Sequence, residues 1–208
     1  MNRMRGDRGL NYGDYSYIEN FIQDGGSRFP IANIPRTQQF FSIWIRPVPH
    51  HNAHFALRQA LRELERLVTD GLSQADFEST REFLLNYSKL YVQTASRRLG
   101  YLMDSRFYGT GYFIDEIQQR LPQLTVDDVN AAVRRHLQSD DLAIAIVTSG
   151  AESLRDRVLA NEPSPATYNM EVTDEIVTED EAIMHYELAI NANRVQLTPV
   201  EQMFRAVN

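Results

Sequence analysis

The chain has 208 residues, 43% of them hydrophobic, with no cysteine and a formal net charge of -7. That is long and apolar enough for a real core, in one domain or in a domain plus a tail, and the missing cysteines exclude disulfides and thiolate metal sites. No stretch reaches the ~18 to 20 consecutive apolar residues of a membrane span. Residues 161–208 carry nine acidic groups against two arginines and the rest of the chain balances, so no basic footprint for nucleic acid remains.

Taken in chain order, Asn2 to Phe21 opens with arginines and then places Tyr12, Tyr15 and Tyr17 within six residues, with Gly9 and Gly13 beside them. Aromatic content of this kind suits a pleated, partly buried strand. Arg5 and Tyr12 stand seven positions apart. If Arg5 closes a helix and Gly9 turns the chain into the strand, a guanidinium and a phenol meet at the strand's mouth, both able to donate to a carbonyl oxygen.

Asp24-Gly25-Gly26-Ser27 predicts a loop, and Pro30 and Pro35 keep the chain irregular to about Thr37. Gln38 to Pro47 predicts a second strand with both faces covered, because Phe40, Phe41, Ile43, Trp44 and Ile45 crowd together. From about Asn52, apolar residues at three- and four-residue spacing predict a helix that Gly71 ends. Ser73-x-x-Asp76 caps a second, nine-turn helix running to near Ser105. Gly109 and Gly111 break it, a short helix over Phe113–Leu121 stops at Pro122, and Thr125-x-x-Asp128 caps the next. Leu142 to Thr148, LAIAIVT, is apolar throughout and predicts a central third strand, followed by a helix over Ala151–Ala160.

Strand, strand, four helices, strand, helix predicts an α+β fold: a sheet of at least three strands covered on one face by helices. Pro163-Ser164-Pro165 marks a boundary between a domain over residues 1–160 and an acidic, extended C-terminal arm over 161–208. The scattered apolar residues of that arm predict that it lies on a surface rather than floating free.

Metal and nucleophile patterns are sparse. His50 and His54 are four apart and could share a helix face, but Asn52 and Ala53 between them cannot deprotonate a zinc-bound water. Pro47 and Pro49 place both at a solvated first turn. There is no G-x-S-x-G elbow and no Gly-rich phosphate loop. The Glu/Arg mix from Arg58 to Arg66 predicts a solvent-facing helix surface.

Arg5-x6-Tyr12, with Arg8-Gly9-Leu10-Asn11-Tyr12-Gly13 inside it, resembles the LRE-x-R-G-L-x-Y segment of the insulinase/pitrilysin family of zinc metallopeptidases. The TVDDV cap before a helix and then an apolar strand resembles the later part of such a domain, over about residues 2–160. What the resemblance implies is the non-catalytic half, which lacks the family's zinc-binding H-x-x-E-H. Zinc would sit on a partner domain or chain bearing that motif, and Arg5 and Tyr12 would reach across to the peptide substrate, with Tyr15 assisting. No metal or catalytic residue is expected in this chain, and no hydrolysis by it alone.

The resemblance also implies a strand and a helix before Met1, so the chain is expected to be an N-terminally truncated domain. Its uncovered sheet edge would favour association, including with a second copy. The rival expectation is a catalytically inactive assembly subunit of the same family. Composition leaves the compartment open between periplasm and cytoplasm.

Overall fold

A computed structural model describes residues 2–17, 32 and 40–203. Among the described residues the only sheet has two strands, β1 (Asp14–Tyr17) and β2 (Ser42–Ile45), and helices dominate. This overturns the expected sheet of at least three strands covered by helices. The decisive segment is 142–148, which pairs with no strand among the described residues. Instead of lying centrally it is exposed, with Ile144, Ile146 and Val147 at 44%, 47% and 85%. An apolar run becomes a strand only where a neighbour supplies the ladder of hydrogen bonds. The expected loop over Asp24–Ser27 and most of the irregular stretch to Thr37 lie outside the described residues.

The chain divides into two compact units: Met1–Ser16 with Ile43–Glu65 and Ser139–Asn208, and Tyr17–Ser42 with Arg66–Gln138. In the first unit, helix α1 (Ala53–Thr69) begins after a short turn at His50–Asn52. Its first half has no solvent face, since His54, Phe55, Ala56, Leu57, Arg58 and Gln59 are all buried. Leu57 packs with Leu154, Val158 and Leu188, and Phe55 packs with Leu10 and Ile183. Full burial of side chains of this size contributes about 1.5 to 3 kcal/mol each.

Those partners come from helix α6 (Ala151–Leu159) and from the segment expected to be an extended arm. That segment instead contains a helix, α7 (Asp174–Met184), with Thr173 accepting from the Ile176 N–H and Asp174 and Glu175 in the first turn. Acidic residues there complement the helix dipole. Buried Ile183 and Leu188 tie the segment to α1.

Arg58 strengthens the same tie, and the expectation of a solvated helix surface fails at this residue. At 1% exposure, its guanidinium donates to the Glu162 carbonyl (2.8 Å), to Ser164 Oγ (2.9 Å) and to the Met184 carbonyl. Burial holds its pKa below the usual guanidinium value. Asn52, also buried, exchanges two hydrogen bonds of 2.9 Å with the Thr167 backbone.

The second unit contains α2 (Gln74–Tyr87), α3 (Ala95–Tyr108), α4 (Phe113–Arg120) and α5 (Val126–His136). Where one nine-turn helix is expected, α2 and α3 are separated by a 3-10 turn at Ser88–Val92. Thr94 then starts α3 afresh, its side chain accepting from the Arg97 N–H. The break serves packing: buried Ser88 accepts from Gln118 Nε2 (2.8 Å), and Tyr91 stacks on Tyr101, which stacks on Phe113. Thr125 and Asp128 form the expected capping box. Gly71 follows the end of α1 with φ at +75°.

Gly9 has φ at +60°, and a Cβ there would stand 2.7 Å from Met170 Sδ. We expect Gly9→Ala to destabilise by about 1 to 3 kcal/mol through backbone strain together with that overlap. A denaturation midpoint unchanged from wild type would show that Met170 moves aside at no cost.

Candidate functional site

The N-terminal segment forms a tight turn over Asn2–Gly6, closed by the Gly9 N–H on the Arg5 carbonyl (3.0 Å) and the Leu10 N–H on the Met4 carbonyl (2.9 Å). Buried Met4 and Leu10 face inward and leave Arg5 exposed. Gly9 then reverses the chain, so that Tyr12 returns beside Arg5 just before β1. The Arg5 Cζ lies 4.7 Å from the Tyr12 ring centroid, and Tyr12 is 70% exposed. A guanidinium over a phenol face at that distance is a cation–π contact, which leaves the N–H edge of the guanidinium available.

A second cation completes the cluster. Arg46, immediately after β2, places its Cζ 5.7 Å from the Tyr12 centroid and 5.5 Å from that of Tyr15. Its backbone is clipped to the start of β1. Asp14 Oδ1 accepts from Asn11 Nδ2 (2.6 Å) and from the Arg46 N–H (3.3 Å), and Asn11 Nδ2 also reaches the Arg46 carbonyl (3.3 Å). The surface so built holds two guanidiniums, two phenol rings and one carboxylate already engaged. It can donate several hydrogen bonds to a carbonyl or carboxylate oxygen and can offer aromatic faces.

The structure therefore brings Arg5 and Tyr12 together and sets Tyr15 against Arg46. Sequence reasoning missed Arg46 because it lies 34 positions from Tyr12. The Asn11-x-x-Asp14 spacing around a strand start was the available signal, since such side chains tie turns to neighbouring backbone.

Arg8, inside the same segment, has a different role. Its side chain is wholly buried and donates to Asp180 Oδ1 (2.8 Å), Glu179 Oε2 (2.7 Å) and the Arg3 carbonyl (2.9 Å). Arg3 pairs with Glu179 at 2.6 Å, and the Tyr168 hydroxyl donates to Asp180. Burial opposes the charge on Arg8, yet its bonds to Glu179 and Asp180 outweigh burial and raise its pKa. Glu179 is likewise desolvated, but Arg8 and Arg3 hold its carboxyl below the usual range. The network fixes the turn that carries Arg5 onto α7.

Among the described residues the histidines join no group of metal-ligating side chains. His50 Nδ1 is 3.0 Å from Thr148 Oγ1, and the expected solvated turn fails at His54, which is 1% exposed. Neither His54 ring nitrogen hydrogen-bonds to a described residue. Burial, with Arg58 and Arg157 nearby, pushes the His54 pKa down to about 4. Among the described residues no three His, Asp or Glu side chains group as metal ligands would, and no helix is long and apolar enough to cross a membrane.

No protein family model, no curated protein and no solved structure matches this chain.

Proposed function

We propose that the chain is a peptide-binding, non-catalytic partner of an insulinase-type zinc metallopeptidase domain, with zinc and H-x-x-E-H on that other domain or chain. The observation that carries this reading is the exposed Arg5 guanidinium stacked at 4.7 Å on the exposed Tyr12 ring, in a segment whose spacing resembles the family's. Arg5 and Tyr12 donate to the scissile carbonyl or to the oxyanion that develops on it, while the partner supplies metal and base.

The test is fluorescence anisotropy with short dye-labelled peptides, joined to a cleavage assay. Arg5→Ala is expected to weaken peptide binding by about 10- to 100-fold, the cost of a lost charge-assisted hydrogen bond. Combined with an H-x-x-E-H chain, the wild type should support cleavage that R5A does not. Cleavage by this chain alone would overturn the assignment.

A second reading, an assembly subunit without substrate, is favoured by exposed Ile144, Ile146 and Val147. It predicts a stable complex by sedimentation and no peptide binding.

A further inference from the structure

We propose that Arg46 is a specificity-determining residue of the Arg5–Tyr12 site, selecting peptides that carry a carboxylate. The inference rests on the peptide-binding reading above and names the chemical class of peptide. Both guanidinium carbons approach the same Tyr12 ring, at 4.7 and 5.7 Å from its centroid, so they stand at most about 10 Å apart. Two like charges this close are unfavourable unless an anion or an electron-rich ring accompanies them. The rings of Tyr12 and Tyr15 supply part of that compensation.

No described carboxylate supplies the rest. Arg3, Arg8 and Arg62 each pair with an acid, whereas the guanidiniums of Arg5 and Arg46 make no ion pair among the described residues. The acid beside them, Asp14, accepts from the Asn11 amide and from the Arg46 backbone N–H. The surface thus keeps two cations against one engaged anion, on a chain whose net charge is -7.

Geometry makes the excess usable. The Arg46 backbone is held at both its N–H and its carbonyl by Asp14 and Asn11, so its side chain projects from a fixed strand end. A planar guanidinium stacked on a ring still presents an N–H fork, and that fork matches a carboxylate with two parallel hydrogen bonds. A neutral amide of the same shape accepts only one and carries no charge. The carboxylate of the ligand is either an acidic side chain or a free C-terminus.

The experiment uses the full chain and dye-labelled pentapeptides in two matched pairs, one differing only in an internal Asp or Asn and one only in a C-terminal acid or amide. Wild type is expected to prefer the carboxylate member of at least one pair by about tenfold, and the pair affected identifies the source. Arg46→Gln should bring the two members to within about twofold of each other, and Arg46→Lys should retain part of the preference. Should R46Q fail to fold, as judged by its thermal melt, the Lys variant carries the test. Equal affinity within both pairs for wild type, with binding still weakened by R5A, overturns the role of Arg46 and leaves the peptide-binding reading standing. Absence of binding by any of the four peptides overturns both.

Discussion

Replacing Arg8 by alanine is expected to cost about 3 to 5 kcal/mol of stability, the range for removing one member of a buried ion pair. The side chain has no solvent exposure and makes three hydrogen bonds, two of them to carboxylates that are themselves mostly shielded. Without it, Glu179 and Asp180 face each other without the cation that holds them together, and the Arg3 carbonyl loses its donor. Arg8→Lys should recover only part of the loss, because one ammonium cannot present the spread of donors that reaches Asp180 and Glu179 together. Urea midpoints for wild type, R8A, R8K and the R8A/E179A double variant decide it. The double variant should be less unstable than the sum of its single changes. A loss below about 1 kcal/mol in R8A would mean that the network adds no net stability, as exposed pairs often do not.

The second large effect is a loss of stability in mild acid that runs through His54. Its folded pKa is pushed down to about 4 from an ordinary 6.5, because burial and two nearby guanidiniums disfavour the imidazolium. The unfolded chain therefore binds a proton that the folded chain refuses between those two values. Stability is fully present above about pH 6.5, falls as pH drops towards 4, and levels off below. Complete passage through that window costs about 3 kcal/mol. His54→Gln cannot titrate and should show a flatter pH profile, by most of that amount, between pH 7 and 4. Glu179 also has a depressed pKa and loses its contribution on acidification, but at lower pH and equally in both proteins. Parallel profiles for wild type and H54Q would rule out the histidine as the cause.

Legibility in the sequence followed the range of the interactions. Caps and stops are local, so Ser73, Thr125 and Gly71 located the ends of α1, α2 and α5 within a residue or two. The break between α2 and α3 carries no Gly or Pro, and its cause lies at Gln118 and Phe113, one helix further on. Arg58 looked like any solvated arginine, because the carbonyls that surround it belong to residues more than 100 positions later. LAIAIVT shows the opposite limit: hydrophobicity indicates what a segment would bury, while pairing depends on a neighbour that the segment itself cannot specify. At the candidate site, the Arg5–Tyr12 approach followed from a short turn at Gly9, whereas Arg46 required the β1–β2 pairing to arrive there.

The salt-bridge cluster joining the first turn to α7 makes the front of the molecule hostage to its far end. Arg5 keeps its bearing because Arg3 and Arg8, on either side of it, are moored to Glu179 and Asp180. A nick or truncation ahead of residue 179 would therefore loosen the Arg5–Tyr12 contact without touching either residue. In this chain the integrity of the tail and the geometry of the head are one property.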